Sequence, residues 1–119
     1  MRTTVEEVRM IIDTALEDAV ITSFIQSASL FIDRVLSDSN LDDEALEDIE
    51  RWITAHLIAN TAERQAKEEG AGGAFIKYVG DFGMGLKSTT YGQTAIMLDT
   101  SDTLKALADG RKNINLISL

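Results

Sequence analysis

The chain has no cysteine and no proline among its 119 residues, and a single histidine. Without cysteine there can be no disulfide, no thiolate nucleophile and no cysteine-ligated zinc. A lone histidine excludes a paired-histidine metal site. Without proline, no segment is a rigid proline-rich spacer. Basic residues are also scarce, 11 against 20 acids, for a net charge of −9. Dense phosphate contact needs the opposite balance, so specific DNA binding is disfavoured. No apolar run approaches the roughly 20 residues that span a bilayer. The first residues, "MRTTVEEVRM", lack a secretory apolar region, so a cytoplasmic origin is expected.

What remains is an ordinary globular mixture, 45 % hydrophobic and 26 % charged, at a length suited to one domain. The periodicities predict a mainly α fold, a small helical bundle with one long central helix. Thr4 and Glu7 have capping-box spacing and open a short helix through Val5, Val8 and Ile11/Ile12. A break follows over 13–18. Ile21, Phe24/Ile25, Ala28, Phe31/Ile32 and Val35 recur at helical spacing and predict a helix over 19–36. The turn residues "SDSN" end it, and acids at Asp42, Asp43 and Glu44 start the longest helix, expected over 42–67. Its core stripe is Leu46, Ile49, Ile53 and Leu57. A neighbouring face of Ala55, Ala59, Ala62 and Ala66 invites close approach of another helix, from this chain or a second one.

Composition then changes. Seven of the eight glycines lie between Gly70 and Gly92, around one strand-like piece, "AFIKYV", which predicts a glycine-rich loop or hairpin. Thr90 and Gln93 have capping spacing ahead of the helix "TAIMLD". Ser101 or Asp102 should cap a last helix, "TLKALA", closed by Gly110. The final segment, 111–119, partly alternates and reads as an extended arm, outside a single domain of 1–110.

Three stretches imitate chemistry. "GDFGMGLKST" has the outline of a phosphate loop, yet Leu86 occupies the lysine position and Lys87 is displaced by one. Asp99 is too near in sequence to lie on a separate strand beside it. "DSNLDDEALEDIE" imitates a calcium loop, but its sixth and twelfth places hold Asp43 and Ile49 instead of glycine and glutamate. His56, with Trp52 and Asn60 one turn away, reads as a hydrogen-bonded interface residue. No catalytic residue, cofactor site or metal site is expected. "ERQAKEEG" reads equally as a solvated charge run, with Glu63–Lys67 pairing, or as an electrostatic contact with a neighbour.

The order of parts resembles a known family. "IERWITAHLIA" on the long helix, "ERQAKEEGAGG" running into a strand-like segment, and above all "STTYGQTAIMLDTSDTLKAL" are similar to the head–tail connector (adaptor) proteins of long-tailed bacteriophages. The likeness spans about Val5 to Gly110. It implies a non-enzymatic virion protein forming a ring, commonly dodecameric, beneath the portal protein. The ring meets a stopper or tail-completion protein, and genomic DNA passes through its channel without specific binding. The expected location is the neck of the virion, after assembly in the host cytoplasm. Carried onto this chain, the loop at 70–87 faces the channel or a neighbour through Gly72, Gly73, Lys77, Asp81, Gly83 and Gly85. The arm docks on a partner through Ile114, Leu116, Ile117 and Leu119. Trp52, His56 and Ala59 lie at the subunit interface, and Tyr91, Gly92 and Gln93 have a structural role. Two alternatives stand beside it, another phage neck or tail-completion protein, and an acidic DNA-mimic regulatory module supported by the acids at 38–50.

Overall fold

A computed structural model describes residues 1–67 and 85–109, with side chains described up to Thr61 and again from Gly85. Five α-helices account for most of it: α1 (Val5–Arg9), α2 (Asp18–Val35), α3 (Asp43–Lys67), α4 (Thr90–Leu98) and α5 (Thr103–Ala108). A 3₁₀ turn at Leu86–Ser88 leads into α4. The mainly helical class read from the sequence is the class observed, and no strand occurs among the described residues. The stretch 68–84 and the arm 110–119 lie outside the described residues. So do the strand-like piece and Gly72, Gly73, Lys77, Asp81, Gly83, Ile114, Leu116, Ile117 and Leu119.

α1 begins with the capping box its sequence announces. Thr4 accepts from Glu7 N while the Glu7 carboxylate accepts from Thr4 N. α2 buries Ile21, Phe24, Ile25, Ala28 and Ile32, the predicted stripe, with Phe31 and Val35 half-buried at its edge. Asn40 then takes a left-handed conformation (φ 64), which asparagine tolerates better than most residues. Asp42 accepts from Ala45 N at 2.8 Å and starts α3, so the calcium-loop imitation is a helix cap.

α3 is the central helix. Ile49, Ile53 and Leu57 are buried as its stripe requires, but so are Thr54, Ala55, His56 and Ile58, which lie around the rest of its circumference. The cause is double coverage, with α2 packing on one flank and α4 on another. A helix covered on two sides cannot keep a polar back, and the residues on its second buried flank are small or hydrogen-bonded.

Candidate functional site

The seam between α3 and α4 gathers most of the residues singled out in the sequence. Thr89 meets His56 and Tyr91 meets Trp52, so α4 runs back along α3 in the opposite direction. Trp52 and Tyr91 stack with centroids 6.2 Å apart and planes at 29°. Gly92, the next residue of α4, is buried against the Leu86 turn and His56. A Cβ built on it would lie 2.0 Å from the Leu86 carbonyl oxygen and 2.9 Å from His56 Nδ1. Only a residue without a side chain allows the backbones this approach. The contacts shown join α4 to Trp52 and His56 of α3, and Gly92 lets α4 close onto the Leu86 turn beside them.

Thr89 is the N-cap of α4, one residue before the Thr90 suggested by the Thr90–Gln93 spacing. Its hydroxyl accepts from Gly92 N at 2.9 Å and lies 2.6 Å from His56 Nδ1. That oxygen still has its proton and one acceptor lone pair, so it can pair with Nδ1 in either tautomer of the ring. The Asn60 amide also points toward Nδ1, at 3.4 Å. The same amide donates to His56 O at 3.3 Å. Burial alone pushes the His56 pKa down, to about 4 from the ordinary 6.5, because the charged ring would lose its hydration. Gln93, in place of closing a capping box, donates from Nε2 to Lys87 O at 2.9 Å.

The phosphate-loop imitation is spent internally. Leu86 is fully buried in the core, Ser88 donates to Gly85 O at 2.7 Å, and Lys87 is ion-paired with Asp109. Gly85 caps the 3₁₀ turn with right-handed helical angles. The end of the expected loop, 85–87, is thus part of the packed body. Asp99, the residue that mimicked a magnesium-side acid, is 1 % exposed and closes the next turn. It accepts from Ser101 N at 2.9 Å, Ser101 Oγ at 2.5 Å and Leu104 N at 2.8 Å. Asp102, expected as a possible cap, stands at the cap position with φ 62 and makes no side-chain cap bond, and Ser101 Oγ accepts from Thr103 N at 3.3 Å. We expect Asp99→Ala to cost about 2 kcal/mol, a cap loss at the upper end because the carboxylate is buried. Urea unfolding and the amide shift of Leu104 report it; an unchanged midpoint would show that Asp99 does not hold this turn.

A second polar centre escaped the sequence reading. Glu50 is 0 % exposed. One oxygen accepts from Arg2 N at 2.6 Å and Thr3 N at 2.9 Å, and the other from the Arg2 guanidinium at 3.0 Å. Arg2 also pairs with Asp33 at 2.8 Å. The Asp33 hydrogen bond, with Glu50 adding to it, outweighs partial desolvation and raises the Arg2 pKa above its ordinary value. Nearby, Arg51 reaches Asp48 at 3.1 Å, Glu7 at 3.4 Å and Glu47 at 3.9 Å. The available signal was a carboxylate inside the apolar stripe, at position 50 between Leu46 and Ile53.

Of the three residues expected at a subunit interface, His56 is fully buried and meets Thr89 at the start of α4. Trp52 and Ala59 are half-buried and pack on the core. Among the described residues no cluster of histidine, aspartate and glutamate is placed to hold a metal, and no helix is long and apolar enough to cross a membrane. A cleft of about 400 Å³ lies at the α2–α3 turn, lined in part by Arg2, Asp33, Leu36 and Leu41. Comparison with protein-family models, with curated proteins and with solved structures returns no match for this chain.

Proposed function

We propose that the chain is a structural virion protein, a head–tail connector that forms a ring under the portal, joins the DNA-filled head to the tail and continues the DNA channel. The observation that carries this reading is that the two stretches bearing the resemblance form one packing unit. "IERWITAHLIA" supplies Trp52 and His56, and "STTYGQTAIMLD" supplies Thr89, Tyr91 and Gly92, which meet them directly. The likeness therefore falls on residues that define the α3–α4 seam. In this reading a ring builds on contacts between unlike faces of neighbouring copies. Trp52 and Ala59 keep part of their surface for such a neighbour, and the segments 70–84 and 111–119 serve the channel and the docking partner. A charge of −9 per chain, repeated around a ring, repels DNA from the walls it passes. The partners are the portal protein, a stopper or tail-completion protein and further copies of the chain.

Of the acids behind the acidic-mimic alternative, Glu50 is buried against Arg2 and Glu47 and Asp48 pair with Arg51, while Asp38, Asp42, Asp43 and Glu44 are exposed. Another neck or tail-completion role shares the same fold requirements and differs in the neighbour it meets. A cryo-electron reconstruction of the neck of the particle encoding this chain tests the proposal. The expected result is a ring of this chain between portal and tail. Its absence from purified particles would overturn the proposal, and density for it only on the tail tube would favour the tail-completion role.

A further inference from the structure

The outer face of α2 carries an unusual pattern. From Ala19 to Ile32 the chain runs fourteen residues without an acid or a base, its longest uncharged stretch, in a sequence that is 26 % charged. The inner face of that stretch is core, but the outer face is open. Val20 and Leu30 are 40 % and 62 % exposed, and Ser23 and Ser27 stand between them, neither of them buried. Ser23 donates to Ala19 O at 3.2 Å, so its hydroxyl is satisfied within the helix. Val20, Ser23, Ser27, Leu30 and Arg34 follow one another at spacings of three, four, three and four residues. Such a seam lets one helix pack lengthwise on another.

The stripe is also self-complementary about one point. Reversed about position 25, Val20 falls opposite Leu30 and Ser23 opposite Ser27. Arg34 falls one residue from Glu17, about 1.5 Å along the helix axis. Both are exposed, and neither has an ion pair among the described residues. A two-fold contact requires this arrangement, because a residue that meets another must meet it in both copies. An unrelated partner makes no such demand. Charge fixes the direction. Antiparallel helices bring Arg34 to an acid at both ends of the contact, whereas parallel ones set Arg34 against Arg34 and Glu17 against Glu17. The net charge of −9 bears on the site as well. Two acidic copies repel each other, and an uncharged face closed by opposite charges lets them approach.

We propose that the free chain pairs with a second copy of itself through antiparallel α2 helices. Val20 packs against the partner's Leu30, Ser23 against the partner's Ser27, and Arg34 lies beside the partner's Glu17. The small serines let the helix axes approach while the valines and leucines cover one another. One helix face per copy is a contact at the small end of specific interfaces, so the dimer forms reversibly. It closes after two copies and recruits no third. The pairing belongs to the free chain, and it stands or falls separately from the connector reading.

Sedimentation of the full chain over a concentration series tests it. The expected result is a shift from monomer to dimer that stops there. Monomer at every concentration, or growth beyond the dimer, would overturn the pairing. Leu30→Glu should abolish the dimer and leave the helical circular dichroism unchanged, since the side chain is exposed. Arg34→Glu should weaken association roughly 10-fold, because each substitution counts twice in a two-fold contact. Adding Glu17→Arg should restore it, and a double variant no tighter than the single one refutes the register. Disulfide trapping is a further measurement, clean because the chain has no cysteine of its own. Ser23→Cys protein mixed with isotope-labelled Ser27→Cys protein should give mostly mixed dimers in a glutathione buffer. A preference for disulfides between like variants would show parallel helices and overturn the proposal, whether or not Leu30→Glu folds.

Discussion

Gly92→Ala is expected to destabilise the protein by about 3 kcal/mol, the upper end for forcing an extra carbon into a packed site. Helix propensity argues the other way, since alanine in a helix interior is favoured over glycine by about 1 kcal/mol. The contact outweighs it. The added carbon would sit 2.0 Å from a backbone oxygen, that of Leu86, and a backbone atom cannot swing aside as a long side chain can. Its other close neighbour, His56 Nδ1 at 2.9 Å, is fixed by Thr89. To admit the carbon, α4 must separate from the Leu86 turn and push against His56, which disturbs the buried Leu86 and the Thr89 cap. Thermal unfolding of this variant beside Met97→Ala, which alters a side chain 81 % exposed on the same helix, separates contact from propensity. We expect a drop in Tm on the order of 10 °C for the first and little change for the second. A Gly92→Ala protein as stable as the parent would mean that α4 does not lie this close to the Leu86 carbonyl and His56.

Glu50→Ala should cost a similar amount, about 3 kcal/mol, by a different route. The carboxylate is fully buried and accepts from three donors, two of them backbone amides at Arg2 and Thr3. Removing it strands those donors and leaves Arg2 with Asp33 alone, and breaking a buried ion pair from one side costs about 3–5 kcal/mol. The lower end applies because Arg2 is partly exposed and can recover some hydration. Asp48→Ala is the contrast. It removes an i,i+3 surface partner of Arg51 and should change stability by about 0.5 kcal/mol or less. Urea midpoints of the two variants measure the difference. Equal midpoints would show that Glu50 is not the anchor of the N-terminal segment.

The helices were legible in the sequence because their signals are local. Thr4 and Glu7 specify the start of α1 within three residues, and the stripe from Ile21 to Val35 repeats often enough to define both the extent and the buried face of α2. The second face of α3 was not legible as such. Ala55, His56 and Ala59 announce that something approaches closely, but periodicity within one helix cannot say whether the visitor is α4 or another subunit. Thr89 and Thr90 are adjacent and chemically identical, so spacing alone could not choose the cap; the choice is made by His56, thirty-three residues away. Glu50 was hidden for a related reason. An acid in an acidic helix start looks solvated until the backbone amides of Arg2 and Thr3 are placed on it, and that contact spans most of the distance between the termini of α1 and α3.

The ion pair between Lys87 and Asp109 also has a bearing on avidity. Lys87 stands in the turn before α4 and Asp109 at the end of α5, so the pair brings these two points of the chain to one corner of the body. A surface touched by both would meet the second at the high effective concentration that a short tether confers. Two individually weak contacts from that corner would act as one strong attachment, and breaking the Lys87–Asp109 link would loosen the tether without altering either contact.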